Sequence, residues 1–139
     1  MMTMRTTAGT STRWSAGVVA AAITVALAIW ALARLLDVEL TAGKGAAAST
    51  VGAGDVLVTA LLAGLAAWGV HALLARRGAA RWWPFVGSTA LAVSVIGPTW
   101  LADGLAAVVL IAMHLAVGAV LIAGFAGARW SPPAQRGQV

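Results

Sequence analysis

The chain has no cysteine, no tyrosine and two phenylalanines, and only 9% of its 139 residues are charged. Without cysteine there is no disulfide, no thiol nucleophile, no thiolate zinc site and no iron–sulfur cluster. Acid is scarce: four Asp and Glu stand against nine Lys and Arg, for a formal net charge of +5. In a soluble domain that balance would raise nucleic acid as a partner. Here the cations lie between long apolar runs, so they act as topology signals and nucleic acid is set aside. The abundant material is apolar, at 61% of the chain, well above the roughly 45–50% of soluble domains. Such a chain belongs in a lipid bilayer.

A hydrocarbon core of about 30 Å calls for about 20 helical residues at about 1.5 Å each. Four stretches are of that order, near residues 16–36, 56–74, 82–97 and 101–126. The expected fold is therefore all-α, an integral membrane four-helix bundle. Residues 1–15, with much Thr, Ser and Gly, read as a disordered start, and residues 127–139 as a polar, Pro-rich tail. The segment 37–54 is the only connection long enough to hold a short element of its own. Asp55 reads as the N-cap of the second span, which ends at Ala75-Arg76-Arg77-Gly78, where two cations meet the negative helix end. The third span opens at Arg81-Trp82-Trp83-Pro84, with its tryptophans at headgroup level, and is expected to stop at Gly97-Pro98. A competing reading takes residues 1–33 as a cleaved signal peptide ending in Ala31-Leu32-Ala33. The apolar run continues through Leu35-Leu36, which favours retention of the helix.

Arg5, Arg13, Arg76, Arg77, Arg81, Arg129 and Arg136 fall on one side of this arrangement. Asp37, Glu39, Asp55 and Asp103 fall on the other, with only Arg34 and Lys44 as cations. The positive-inside rule then places both termini in the cytoplasm of a multi-pass protein of the cell membrane.

No Asp, Glu or Lys lies in the middle of any span. Ion-coupled carriers usually need a titrating carboxylate there. His114 is the one ionisable side chain near mid-membrane, and an imidazole at that depth should face protein or water. It heads a candidate intramembrane polar site with Ser94, Pro98 and Thr24. A hydrogen bond from its ring to a hydroxyl of Ser94 or Thr24, stitching two helices together, is the simpler role. His71 lies near the cytoplasmic interface. Two histidines without a carboxylate or thiolate nearby make no metal site, and no cofactor is expected. Trp14, Trp82, Trp83, Trp100 and Trp130 are placed as an interfacial belt, with Trp30 and Trp68 deeper.

At 100° per residue, Gly17, Ala21, Thr24, Ala28 and Ala31 share one side of the first span, and Ala60, Gly64, Ala67 and His71 one side of the second. The fourth span collects Ala112, Ala116, Ala119 and Ala123 on a candidate helix-packing face, since small residues let helices approach closely. His114 lies nearly opposite, among Leu110, Gly118, Leu121 and Phe125. Two faces of this span therefore call for protein, one inside the bundle and the other against a second copy or another membrane protein.

Trp30 with Asp37-Val38-Glu39-Leu40, Ala67-Trp68 with Leu73-Leu74 and Arg76-Arg77, Ser94-x-x-Gly97-Pro98, and Met113-His114-Leu115 form a recognisable pattern. On these motifs, across residues 16–125, the chain resembles an actinobacterial family of small four-span membrane proteins described only as a domain of unknown function. The resemblance implies a four-helix membrane protein and brings no reaction, substrate or cofactor. Similar proteins often carry Leu-Ile-Pro near the end of the fourth span. Here the residues are Leu121-Ile122-Ala123, which removes a kink.

With no catalytic set, the first expectation is a non-enzymatic bundle that self-associates or binds another membrane protein within the lipid bilayer. The alternative is a small carrier or pore for an apolar or weakly basic solute, with a cavity near His114 and Pro98. An intramembrane enzyme using His114 as acid or base lacks a nucleophile or carboxylate partner at that depth.

Overall fold

The computed structural model describes the backbone of residues 7–127 and the side chains of residues 12–127. The expected tail beyond residue 127, with Arg129, Trp130 and Arg136, lies outside the described residues, as does Arg5. Four long helices carry the fold: α1 (Thr7–Leu35), α2 (Ala53–Arg76), α3 (Trp83–Leu101) and α4 (Gly104–Gly127). Each is long and apolar enough to cross a membrane. Many large apolar side chains point outward, among them Leu62, Phe85, Val93, Leu105 and Trp100. In water that surface would drive aggregation, whereas in lipid it costs nothing.

The helices form a row that curls on itself. α1 packs along α2 on one side and α4 on the other, and α4 packs along α3, while α2 and α3 scarcely meet. Lipid supplies no hydrophobic drive between helices, so close packing of small residues has to hold them together. Four glycines mark the approaches. A Cβ on Gly64 of α2 would lie 2.7 Å from a methyl of Val19 on α1, and one on Gly124 of α4 would lie 2.6 Å from a methyl of Val18. Between α3 and α4 the contacts interlock, with Gly118 against Leu91 and Gly87 against Ile122.

Two apolar clusters result. One lies toward the end of the bundle that carries the α1–α2 connection, the loop end, and joins Ala26, Ala33, Leu40, Val56, Ala60, Ala106, Leu110 and Met113. The other lies toward the opposite end, the turn end, and joins Val18, Val19, Ala22, Trp83, Leu121 and Phe125. The turn end takes its name from the tight connection at 77–82, where Gly78 adopts φ +66° and its N–H donates to the Ala75 carbonyl at 3.1 Å. Gly78 thus stands one residue past the C-cap Arg77, where a left-handed conformation suits glycine.

The α1–α2 connection does hold an element of its own. Strands β1 (Thr41–Ala42) and β2 (Ser49–Thr50) pair antiparallel around a single 3-10 turn, Gly45–Ala47. Three bonds tie this hairpin down: Gly43 N–H to the Leu101 carbonyl at 2.8 Å, Val51 N–H to Leu40 at 2.7 Å, and Trp30 Nε1–H to the Val51 carbonyl at 3.0 Å. Gly43, at φ +103°, has no room for a Cβ, which would fall 2.3 Å from the Ala47 carbonyl oxygen.

Several boundaries differ from the sequence reading. α1 begins at Thr7, so residues 7–15 are helical where a disordered start was expected. Two residues of this extension meet the rest of the protein: Ser15 is buried, and Trp14 Nε1–H donates to the Gly124 carbonyl of α4 at 3.0 Å. α3 does not stop at Gly97-Pro98 but runs through Pro98 to Leu101. Proline there removes one helical N–H yet leaves the helix continuous, as neighbouring helices permit in membrane spans. Asp55 is the third residue of α2, behind an N-cap at Gly52, and its carboxylate accepts from Gly52 N–H at 2.9 Å. α4 begins at Gly104, at φ +60°, three residues later than expected. Trp83, expected beside Trp82 among the interfacial tryptophans, packs against Ile122 and Phe125. It is buried, at 3% exposure, while its neighbour Trp82 is exposed.

Candidate functional site

Because α2 and α3 lean on different partners, a cleft of about 450 Å³ opens between them. Thr59, Ala63, Ala66 and Val70 form the α2 wall, and Val86, Gly87, Ala90, Leu91 and Ser94 the α3 wall. Met113, His114, Val117, Gly118 and Leu121 of α4, with Ala26 of α1, make the floor. Thr59, Ala63, Ala66, Ala90 and Ser94 are themselves exposed, so the cleft opens sideways, where lipid would lie. Small residues on both walls explain the gap: alanine and glycine line the surfaces that a Leu or Phe would fill.

The turn end of the cleft is closed by aromatic rings. Trp83 lines the cavity, and its Nε1–H reaches the Ile122 carbonyl at 3.2 Å. His71 stacks on Phe125 with centroids 5.2 Å apart and meets the edge of Trp83 at 5.3 Å, while Trp83 meets Phe125 at 5.6 Å. Edge-to-face and offset ring pairs of this kind fix side chains as well as fill space. His71 is therefore half-buried in a packed cluster at the turn end.

His114 stands on the cleft floor, half-buried, with Nδ1 2.8 Å from the Leu110 carbonyl one turn back in its own helix. This is not the interhelical stitch to Ser94 or Thr24 anticipated from sequence. Both hydroxyls are turned to their own helices: Ser94 Oγ donates to Leu91 at 2.8 Å and Thr24 Oγ1 to Ala20 at 2.9 Å. Hydroxyls in apolar helices commonly bond back in this way, since no water competes.

Of the four candidate polar residues, the fold brings His114 and Ser94 to one cavity. Pro98 is buried one turn beyond Ser94 in α3. Thr24 is exposed on α1, outside the cleft lining. Gly87, Ala60 and Ala67, which lie on small faces read from the sequence, also line the cleft, whereas Thr59, Ala63 and Ala66 were not singled out. The signal available was the small-residue run Thr59, Ala63, Ala66 on a side of α2 other than the one carrying Ala60 and Gly64. Among the described residues no three His, Asp or Glu side chains gather into a group that could hold a metal ion.

The alanine face of α4 points away from the bundle: Ala112, Ala119 and Ala123 are exposed and Ala116 is half-buried. Interior packing uses the opposite face, with Ala106, Leu110, Met113, Leu121 and Phe125 buried. The small stripe of α1 likewise faces out, at Gly17, Ala21, Thr24, Ala28 and Ala31, whereas Ala60 and Gly64 of α2 face in.

No curated protein and no solved structure matches the chain. The model of a protein family described as a family of unknown function, DUF6069, matches residues 6–130, the whole of the four-helix part, and the chain belongs to that family.

Proposed function

We propose that this chain is a non-catalytic, multi-pass protein of the cell membrane that holds a membrane-dissolved lipophilic molecule between α2 and α3, as a small carrier does. The observation that supports this reading is the cleft itself, about 450 Å³, apolar on both walls and open toward lipid. That volume lies within the roughly 300–1,000 Å³ of small-molecule sites. The sideways opening suits a solute arriving from the bilayer better than one crossing an axial pore. His114 and Ser94 provide a polar spot without a carboxylate beside them, which suits binding and orientation better than acid–base chemistry. The proposed orientation sets the turn end, with Arg76, Arg77 and Arg81, in the cytoplasm and the loop end, with Asp37, Glu39 and Asp103, outside.

The test is to fill the cleft from both walls with Ala63→Phe and Ala90→Phe and extract the purified proteins with organic solvent. The native chain should yield one lipophilic compound in near-stoichiometric amount by mass spectrometry, and the filled variant should not. Equal extracts from both would end this reading.

A second reading, self-association or docking on another membrane protein, is favoured by the outward alanine face of α4. Cysteines placed at Ala112, Ala119 and Ala123, all on that face, should then crosslink to a neighbour. Silence at all three positions would remove it.

A further inference from the structure

We infer that the α2–α3 cleft selects a lipophilic molecule with a hydrogen-bond-donating hydroxyl, a phenol or an alcohol, which docks on Nε2 of His114. This rests on the cleft reading above and adds the chemistry of the ligand's head. Nδ1 of His114 and the Leu110 carbonyl are 2.8 Å apart, and a carbonyl only accepts, so Nδ1 carries the proton. In the neutral ring Nε2 is then an acceptor, and it has no partner among the described residues. Ser94 commits its single hydroxyl proton to the Leu91 carbonyl at 2.8 Å, leaving its oxygen with lone pairs.

The polar chemistry of the floor and the α3 wall is thus weighted to acceptors. Thr59 on the opposite wall can donate or accept and favours neither. In apolar surroundings an acceptor without a donor is costly, and a ligand that brings the donor recovers that loss. An ether or ketone at the same place would not. A cationic head is disfavoured, because no Asp or Glu lines the cleft to balance it.

The experiment uses the full chain in lipid nanodiscs, labelled with 15N-histidine, and two probes that differ in one proton donor, 4-octylphenol and its methyl ether, 4-octylanisole. Partition into protein-free nanodiscs is subtracted. The phenol should bind about tenfold more tightly than the ether, the size of one hydrogen bond in an apolar site. It should shift the Nε2 resonance of His114 and leave that of His71 in place. His114→Phe should bring the phenol down to the ether's affinity without changing the ether, and His114→Gln, whose amide oxygen accepts, should restore part of the preference. Phenol binding without a Nε2 shift in the native chain overturns the proposal, whether or not His114→Phe folds. Equal affinity for the two probes, both lost in the Ala63→Phe/Ala90→Phe chain, overturns the donor selection and leaves the cleft reading standing. No saturable binding of either probe overturns both.

Discussion

Gly124→Ala should be the most damaging single methyl added at a helix–helix contact of this bundle. The new Cβ would lie 2.6 Å and 2.8 Å from the two methyls of Val18 and 3.3 Å from its Cβ. Carbon atoms settle about 3.5–4.0 Å apart, so the overlap approaches 1 Å. Valine is stiff about χ1 in a helix, and because its own Cβ is also too close, rotation brings no relief. α1 and α4 must therefore move apart, at about 1–3 kcal/mol for overpacking. The same movement stretches the Trp14 Nε1–H bond to the Gly124 carbonyl, 3.0 Å in the native arrangement, which adds at most about 1 kcal/mol at so exposed a donor. A loss of about 2 kcal/mol is expected. Reversible unfolding in mixed micelles, followed by helical circular dichroism, measures it. Gly69→Ala is the control, since nothing lies within 4 Å of the Cβ it would add. It should be neutral or stabilising by up to about 1 kcal/mol through helix propensity. Val18→Ala in the Gly124→Ala background should recover most of the loss. The packing argument fails if the two glycine variants agree within about 0.5 kcal/mol, or if Val18→Ala brings no recovery.

Trp30→Phe removes the donor to the Val51 carbonyl and should cost about 1 kcal/mol, with faster amide exchange through the hairpin at 41–50 as the readout. Asp55→Ala frees the Gly52 N–H at the start of α2 and should cost about 0.5–1 kcal/mol, seen as fraying of residues 53–56 by hydrogen exchange. Pro98→Ala restores a helical N–H opposite the Ser94 carbonyl and lies outside the cleft lining, so it should leave both the fold and phenol binding intact; weakened binding would draw Pro98 into the site. Lys44→Cys and Gly78→Cys should react with impermeant thiol reagents from opposite sides of intact cells, the first from outside, and labelling of both from one side would overturn the proposed topology.

The four spans were legible because composition and length decide them, and so was the turn at Gly78, whose left-handed position follows from the helix end. The start of α1 was not, since Thr, Ser and Gly dominate residues 7–15; the bond from Trp14 to the Gly124 carbonyl at the end of α4 is a long-range contact that no local pattern shows. Trp82 and Trp83 look alike in sequence, yet the turn before α3 sends one outward and the other onto Ile122 and Phe125. His114 was visible as the single ionisable group at depth. Its surroundings were not, because the cleft exists only where α2 and α3 choose different neighbours, and that choice rests on Gly64 meeting Val19 and Gly118 meeting Leu91. The alanine-rich faces read from sequence misled for α1 and α4: Ala21, Ala28, Ala31, Ala112 and Ala119 face out, while Ala22, Ala26 and Ala33 of α1 and Leu121 and Phe125 of α4 pack inward.

Photocrosslinking in native membranes separates a ligand cleft from a protein interface most directly. A benzophenone side chain at Ala90, on the cleft wall, and another at Val93, exposed on α3, would be activated in cells and the adducts weighed. A single defined small-molecule adduct at Ala90, absent at Val93 where only bulk lipid reacts, is the expected result. Capture of a polypeptide at Ala90, or the same lipid mixture at both positions, would contradict the cleft as a binding site for a lipophilic molecule.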